Sequence, residues 1–361
     1  MWQALFASAT AQAAAGATGP LSSGDRGQLV DDLFTITEAA LPEQLARGVN
    51  TVFALKLARA MLPVERAYEA WVPALNHLAS TFAFVFPDVP LASAGNAAVS
   101  PFDGAAGAAD QACVAALSAA ARAAIAPLLS SLGNFSNAAT ASVPLLVQLQ
   151  VRALNAASFF GDAGTIAQAL AFFQSDWLSA PVDFQSAILR SVSRWSAPGD
   201  GTWTTLRDEY VELSALGSPA ASRVLGALSA TFDRTQLAAA LAFAASDSVR
   251  VGDKVGLIAG VAANPFGRDL AFTFIKANWR SGLNLFGLYG PGGFDLSSLT
   301  RATGAGFVTQ EYADAIVAFF AANPVEGSVH DLSQAIEGVQ QRVSWRAAGE
   351  KASTCAYLAG S

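Results

Sequence analysis

From Pro42 to Leu358 apolar side chains return every third or fourth residue in one segment after another, and short turns rich in Gly, Pro, Asn or Asp separate the segments. That interval puts them on one side of an α-helix, so the chain can bury them only by laying helix against helix. "LPEQLARGVNTVFALKLARAML" opens with Pro42 and Glu43, which a first helical turn accepts, and sets Leu45, Val49, Val52 and Leu55 on one face. "PVERAYEAWVPALNHLASTF" starts again at Pro63, with Tyr68, Trp71, Leu75 and Leu78 in helical register. The turn between the two is short, which predicts an antiparallel pair. The same pattern pairs Val143–Phe160 with Ile166–Trp177 across "GDAG", and Pro181–Trp195 with Trp203–Leu213 across "APGDG". Helices are expected over Pro219–Leu228, Gln236–Ala245, Gly252–Ala263, Pro265–Phe286, Gln310–Ala322, His330–Val343 and Trp345–Leu358. No segment reads convincingly as a strand. The pattern predicts an all-α superhelical array of antiparallel helix pairs, an α-solenoid forming a single domain over residues 1–361, with an irregular all-α globule as the alternative.

Composition agrees with many packed layers. Hydrophobic residues make up 53% of the chain and charged residues 14%, against roughly a quarter charged in average globular chains. Much of each helix surface must therefore be covered by a neighbour. The net charge is -7, and no run of Lys or Arg is present to follow a phosphate backbone, so nucleic acid is not an expected partner. Mean hydropathy is +0.38, but the uncharged stretch between Arg122 and Arg152 is interrupted by Ser130, Gly133, Asn134 and Pro144. No uninterrupted apolar run reaches the length of about 18 residues that a spanning helix needs, and no membrane span is expected. The first 24 residues lack a basic leader and a sustained apolar core; they read as a helix and loop, not a signal peptide. Cys113 and Cys355 stand near opposite ends of the chain and suggest neither a disulfide framework nor a metal knuckle. A reducing, cytoplasmic setting is the matching expectation. Residues 87–111, rich in Ala, Gly, Pro and Ser, read as a flexible surface insertion, and Leu288–Asp295 as a glycine-containing turn.

No catalytic constellation emerges. A zinc hydrolase helix needs two histidines four residues apart with a glutamate between them; the chain holds two histidines in all, His77 and His330. His77 falls beside an apolar stripe and His330 at a helix start, where an end-capping or solvent-facing role is expected. There is no G-x-S-x-G elbow to carry a serine nucleophile. Asp31 and Asp32 are adjacent, so on a helix their side chains diverge by about 100° and cannot share one proton or ion. They are read as solvated charges, or one of them as a partner for Arg26. Arg26, Glu65, Arg66, Arg268 and Asp269 are read as polar ties between helices. "ATGAGF" at Ala302–Phe307 matches half of a dinucleotide fingerprint but follows no strand. The stripe Phe272, Ile275, Trp279, Leu283 and Phe286 is explained by core packing, each side chain contributing about 1.5–3 kcal/mol when buried. No catalytic, cofactor-binding or metal-ligating residue is assigned.

Several blocks nevertheless look familiar. "SGDRGQLVDDLFTITEAALPE" from Ser23, "LARAMLPVERAYEAWVPALNHL" from Leu57, "TWTTLRDEYVEL" from Thr202 and "VGDKVGLIAGVAANPFGRDLAFTFIKANW" from Val251 resemble the C-terminal helical domain of the zinc aminopeptidase family. That family includes aminopeptidase N and the puromycin-sensitive and endoplasmic-reticulum aminopeptidases. The ending from Val308 resembles the same domain's last helices, so the likeness runs from about Trp2 to Leu358, most specifically at Asn264–Trp279. The resemblance implies a bowl of helical hairpins, HEAT/armadillo-like, that covers the peptide chamber of a separate catalytic domain, in cis or in trans, and contacts peptides. It transfers Trp71, Trp279 and Asp32 as structural positions only. It implies no cofactor in this chain, because the zinc motif HExxH belongs to an upstream domain, and the chain alone is expected to be inactive. "MWQALFASA" starts close to where the family chain enters its helical domain, which suggests an excised domain, an incomplete product or a separate lid. The competing reading is a stand-alone α-solenoid protein-interaction scaffold.

Overall fold

A computed structural model describes residues 8, 10, 11, 21–136, 143–290, 293–325 and 327–360; the proposed first helix and loop lie largely outside these. Among the described residues the regular structure is entirely helical, so the all-α expectation holds. By contacts the chain divides into two compact units, one of Met1–Val85, Gln111–Ile188 and Ser344–Ser361, the other of Phe86–Asp110 and Leu189–Val343.

The first unit contains α1 (Ser23–Ala39), α2 (Pro42–Leu45), α3 (Thr51–Met61) and α4 (Tyr68–Val85). It also takes in most of α5 (Gly107–Leu132), then α6 (Pro144–Phe159), α7 (Ala163–Ser175), the start of α8 (Val182–Trp195) and the end of α17 (Val329–Ala347), and closes with α18 (Glu350–Ala359). α1 begins with a capping box: the Ser22 hydroxyl accepts from Asp25 N, while the Asp25 carboxylate accepts from Ser22 N. Its partner is α4, and the two approach closely because Gly27 has no side chain; a Cβ there would lie 2.3 Å from Glu69 O. α1 also packs on α3. The expected hairpin between α3 and α4 is therefore corrected: α1, and not α3, is the principal neighbour of α4.

Two boundaries explain the correction. The helix expected from Pro42 onward breaks after Leu45, where Gly48 turns left-handed at φ 73° and Asn50 caps a new helix by accepting from Phe53 N. The helix expected from Pro63 begins only at Tyr68, because Glu65 captures the intervening backbone. Its carboxylate accepts from Arg66 N and Ala67 N, both at 2.8 Å, and its carbonyl accepts from the Trp71 indole.

The second unit is built from α9 (Thr202–Ala215), α10 (Ala220–Leu228), α11 (Arg234–Ala245), α12 (Val251–Ala263), α13 (Arg268–Asn278), α14 (Leu285–Tyr289), α15 (Phe294–Ala302) and α16 (Gln310–Ala322), with parts of α8 and α17. α9 packs on α10, α11 on α12, and α12 on α13 and α15. α15 was not foreseen from the sequence. Nor does Pro265–Phe286 form one helix: Asn278 accepts from Leu283 N, Gly282 and Asn284 both take positive φ, and the chain turns before α14. Phe272, Ile275 and Trp279 are buried as expected, and Trp279 lies edge-on to Phe319 and Phe320. Residues 87–111 hold a short 3-10 turn at Leu91–Ser93, and α5 begins within them at Gly107. By length and composition α5 is apolar enough to cross a membrane, with a mean hydropathy of 1.8 over its best window. Asp110, Ser118 and Arg122 interrupt its apolar run. Core helices of globular proteins reach the same length and hydropathy.

A second correction concerns the cysteines. Cys113 of α5 and Cys355 of α18 form a disulfide, their Cα atoms 5.1 Å apart across a sequence separation of 242. Spacing along the chain carries no sign of this; only the packing of the first unit brings the two helices together.

Candidate functional site

Most of the charged residues singled out in the sequence fall into three clusters, two of them buried and one half exposed at Asp31. In the first unit Arg26 of α1 meets Glu65, Nε to Oε2 at 2.7 Å and Nη2 to Oε1 at 3.2 Å, with both side chains almost wholly buried. Burial works to raise the Glu65 pKa. Arg26 and the two backbone N–H groups outweigh it and hold the carboxyl below its ordinary value. Arg26 is thus a tie between α1 and the turn before α4, as expected, but its partner is Glu65 and not Asp31 or Asp32. Arg66 is no such tie, since its guanidinium donates to Pro63 O and Glu65 O within its own turn. Asp32 is exposed and accepts from Gln28.

His77 of α4 forms the second cluster. Its Nδ1 lies 2.9 Å from Glu38 and its Nε2 3.1 Å from Asp31, while the ring stacks on Phe34 at 5.0 Å. Asp31 and Glu38 are seven positions apart on α1, two helical turns, so they grip the ring from both ends. Burial alone would lower the imidazole pKa. The Glu38 and Asp31 carboxylates outweigh it and hold the pKa above 6.5. Both nitrogens can donate to these carboxylates only when the ring carries two protons, so the pair of carboxylates favours the charged imidazole. A folded-state pKa raised above the unfolded value contributes stability that is fully present below pH 6.5 and is lost as pH rises through the folded value. Urea midpoints are accordingly expected to fall as pH rises from 6.5 through the higher folded value. His77→Gln should flatten that slope. An identical slope in His77→Gln would refute the assignment. His330 is exposed near the start of α17, beside Gln334.

The third cluster lies in the second unit and explains the block from Asn264. The Asn264 amide donates to Ser229 O and Thr231 O, and its Oδ1 accepts from Phe266 N. Gly267 lets the chain fold back, since a Cβ there would sit 2.7 Å from Val261 O. The next two residues then point into the unit. Asp269 receives a two-pronged pair from Arg234, Nη1 to Oδ1 at 2.7 Å and Nη2 to Oδ2 at 2.8 Å, and also accepts from Gly95 N. Arg268 pairs with Asp88 at 2.9 Å and donates to Phe86 O, Pro87 O and Gly306 O. Its guanidinium lies between the rings of Phe86 and Phe307. The sequence showed Arg268 and Asp269 as ties but not their partners, which come from residues 86–96, from α11 and from Gly306. Asp88 was missed altogether, because nothing in "FPDVP" marks it as buried.

All three clusters lock helices together, and none leaves a nucleophile beside a base. Among the described residues, no group of three or more His, Cys, Asp or Glu side chains is placed to hold a metal ion. Trp71 and Trp279 are fully buried.

Comparison with known proteins gives the architecture its kinship. The family model described as "ERAP1-like C-terminal domain" matches residues 2–341. Aminopeptidase M1-B of Oryza sativa subsp. japonica is 28% identical over 159 residues, 44% of this chain and 17% of that protein. Endoplasmic reticulum aminopeptidase 2 of Bos taurus is 27% identical over 201 residues, 55% of this chain and 20% of that protein. Aminopeptidase N of Canis lupus familiaris is 31% identical over 100 residues, 27% of this chain and 10% of that protein. The chain thus spans about a fifth or less of the length of these relatives. With nearly its whole length matched and its helices tied by buried ion pairs, the chain belongs to the ERAP1-like C-terminal domain family of aminopeptidase-like proteins.

Proposed function

We propose that the chain serves as the non-catalytic C-terminal domain of a zinc aminopeptidase-like protein and covers the peptide chamber of a separate catalytic domain, in cis or in trans. The observation that carries this reading is the family match over residues 2–341. The sequence agrees with it: the HExxH motif does not occur, so zinc is expected only in the partner domain. Peptides are the expected ligands of the covered chamber. The Cys113–Cys355 disulfide supports an oxidising compartment in place of the cytoplasmic setting expected from the cysteine count.

Purified chain supplied with zinc and aminoacyl-coumarin substrates is expected to show no turnover above buffer. Added to a related catalytic domain stripped of its own C-terminal domain, it should alter that enzyme's discrimination between short and long peptides. Robust hydrolysis by the chain alone overturns the non-catalytic reading. Unchanged peptide-length preference, together with stable capture of a non-peptidase protein, would favour the interaction scaffold.

A further inference from the structure

The first unit contains a cavity of about 410 Å³ that none of the three ion-pair clusters touches. Its floor is Leu55 and Leu62 around α3, Leu78 of α4 and Leu117 of α5. Its long wall is the alanine face of α5, where Ala116, Ala120 and Ala123 recur at helical spacing. The far wall is α18, through Tyr357 and Leu358. α3 and α5 are not close-packed neighbours, although α3 packs on α18. Alanines on α5 are too short to bridge the gap that remains. The disulfide fixes α18 to α5 one turn away from the cavity residues on each helix, so the walls are held covalently and cannot collapse freely.

Among the described residues Arg59 is the charged side chain that lines the cavity, and Lys56, one turn earlier on α3 and outside the lining, holds its ammonium 5.6 Å from the centre of the ring of Tyr357, which does line it. Both are cations in a chain of net charge -7. The volume falls within the roughly 300–1,000 Å³ of small-molecule sites, which are mostly apolar with a few oriented polar groups. Leaving such a surface open to water is unfavourable, and an aliphatic chain removes that cost.

We infer that this cavity binds an anionic amphiphile of the fatty-acid class, the aliphatic tail lying between α3, α5 and α18 and the carboxylate meeting Arg59 and Lys56 at the rim. The site does not depend on the peptide-chamber proposal, because its test involves no peptide and no catalytic domain.

Calorimetric titration of the 361-residue chain with octanoate, decanoate and decanol is the direct test. Saturable binding of decanoate is expected, tighter than octanoate by up to about fifteenfold, since each of the two extra sheltered methylenes strengthens binding roughly fourfold. Arg59→Gln with Lys56→Gln should weaken decanoate about tenfold and leave decanol unchanged. Ala120→Phe fills the cavity and should abolish binding of both; Ala123→Leu, at an exposed position on the same wall, repeats the test with little risk to folding. Absence of saturable decanoate binding overturns the inference, as does binding that survives both filling substitutions. Equal affinity for decanol and decanoate, insensitive to the two cations, removes the anionic headgroup and sinks the proposal as stated.

Discussion

Replacing Asp269 with alanine is expected to lower stability by about 3–5 kcal/mol, the usual consequence of deleting one member of a buried ion pair. The pair is almost fully enclosed, with side-chain exposures of 6% for Arg234 and 1% for Asp269. Without the carboxylate, Arg234 keeps only the carbonyls of Phe266 and Asn96, and Gly95 N loses its acceptor. The cost comes from a cation stranded away from water more than from the attraction itself. That distinction is measurable. Removing both charges, as Arg234→Met with Asp269→Leu, should cost markedly less than Asp269→Ala, because no uncompensated charge remains. Urea unfolding of the two variants checks it; a double variant as unstable as the single one would mean that the network's hydrogen bonds, and not the stranded charge, dominate.

The second large effect is expected from the disulfide. Its separation of 242 residues means that the bond closes most of the chain into a loop. Chain entropy alone then gives about 5 kcal/mol, and loss of native disulfides typically costs 2–5 kcal/mol. Cys113→Ser with Cys355→Ser should lower the unfolding free energy by an amount in that range, and a reducing agent should produce the same shift in the native protein but none in the double variant. Because the bond joins α5 to α18, the reduced protein is also expected to open first at the C-terminal helix, which hydrogen exchange at residues 350–359 would register. Equal stability of oxidised and reduced protein would remove the bond from any structural role.

Helix positions were legible wherever an apolar stripe ran to a clear stop. Gln310–Ala322 is the plainest case, with Tyr312, Ala313, Ile316 and Phe320 buried on one face. Expectation failed where side chains overruled the stripe locally. Pro63 marks a permissible helix start, but the Glu65 carboxylate offers the following N–H groups a better acceptor than one more helical turn. Pro265–Phe286 carries one continuous stripe, yet Asn278 and Gly282 end the helix because the Asn278 side chain accepts the Leu283 N–H. Both are competitions between nearby groups, and periodicity does not report them.

The sequence by itself determined that the chain folds into packed helices. Its apolar spacing, low charge and turn residues are local quantities, and an amphipathic helix must find a neighbour whatever the topology. Its histidine count likewise ruled out the paired-histidine zinc helix without reference to any fold. Tertiary structure alone decided which partners meet: Arg26 with Glu65, His77 between Asp31 and Glu38, Arg234 with Asp269, Cys113 with Cys355. These pairs are separated by as few as 35 and as many as 242 positions. A buried charge needs its counter-charge within a few ångströms, and the residue that supplies it is set by which helices stack, a property of the whole chain that no short window contains.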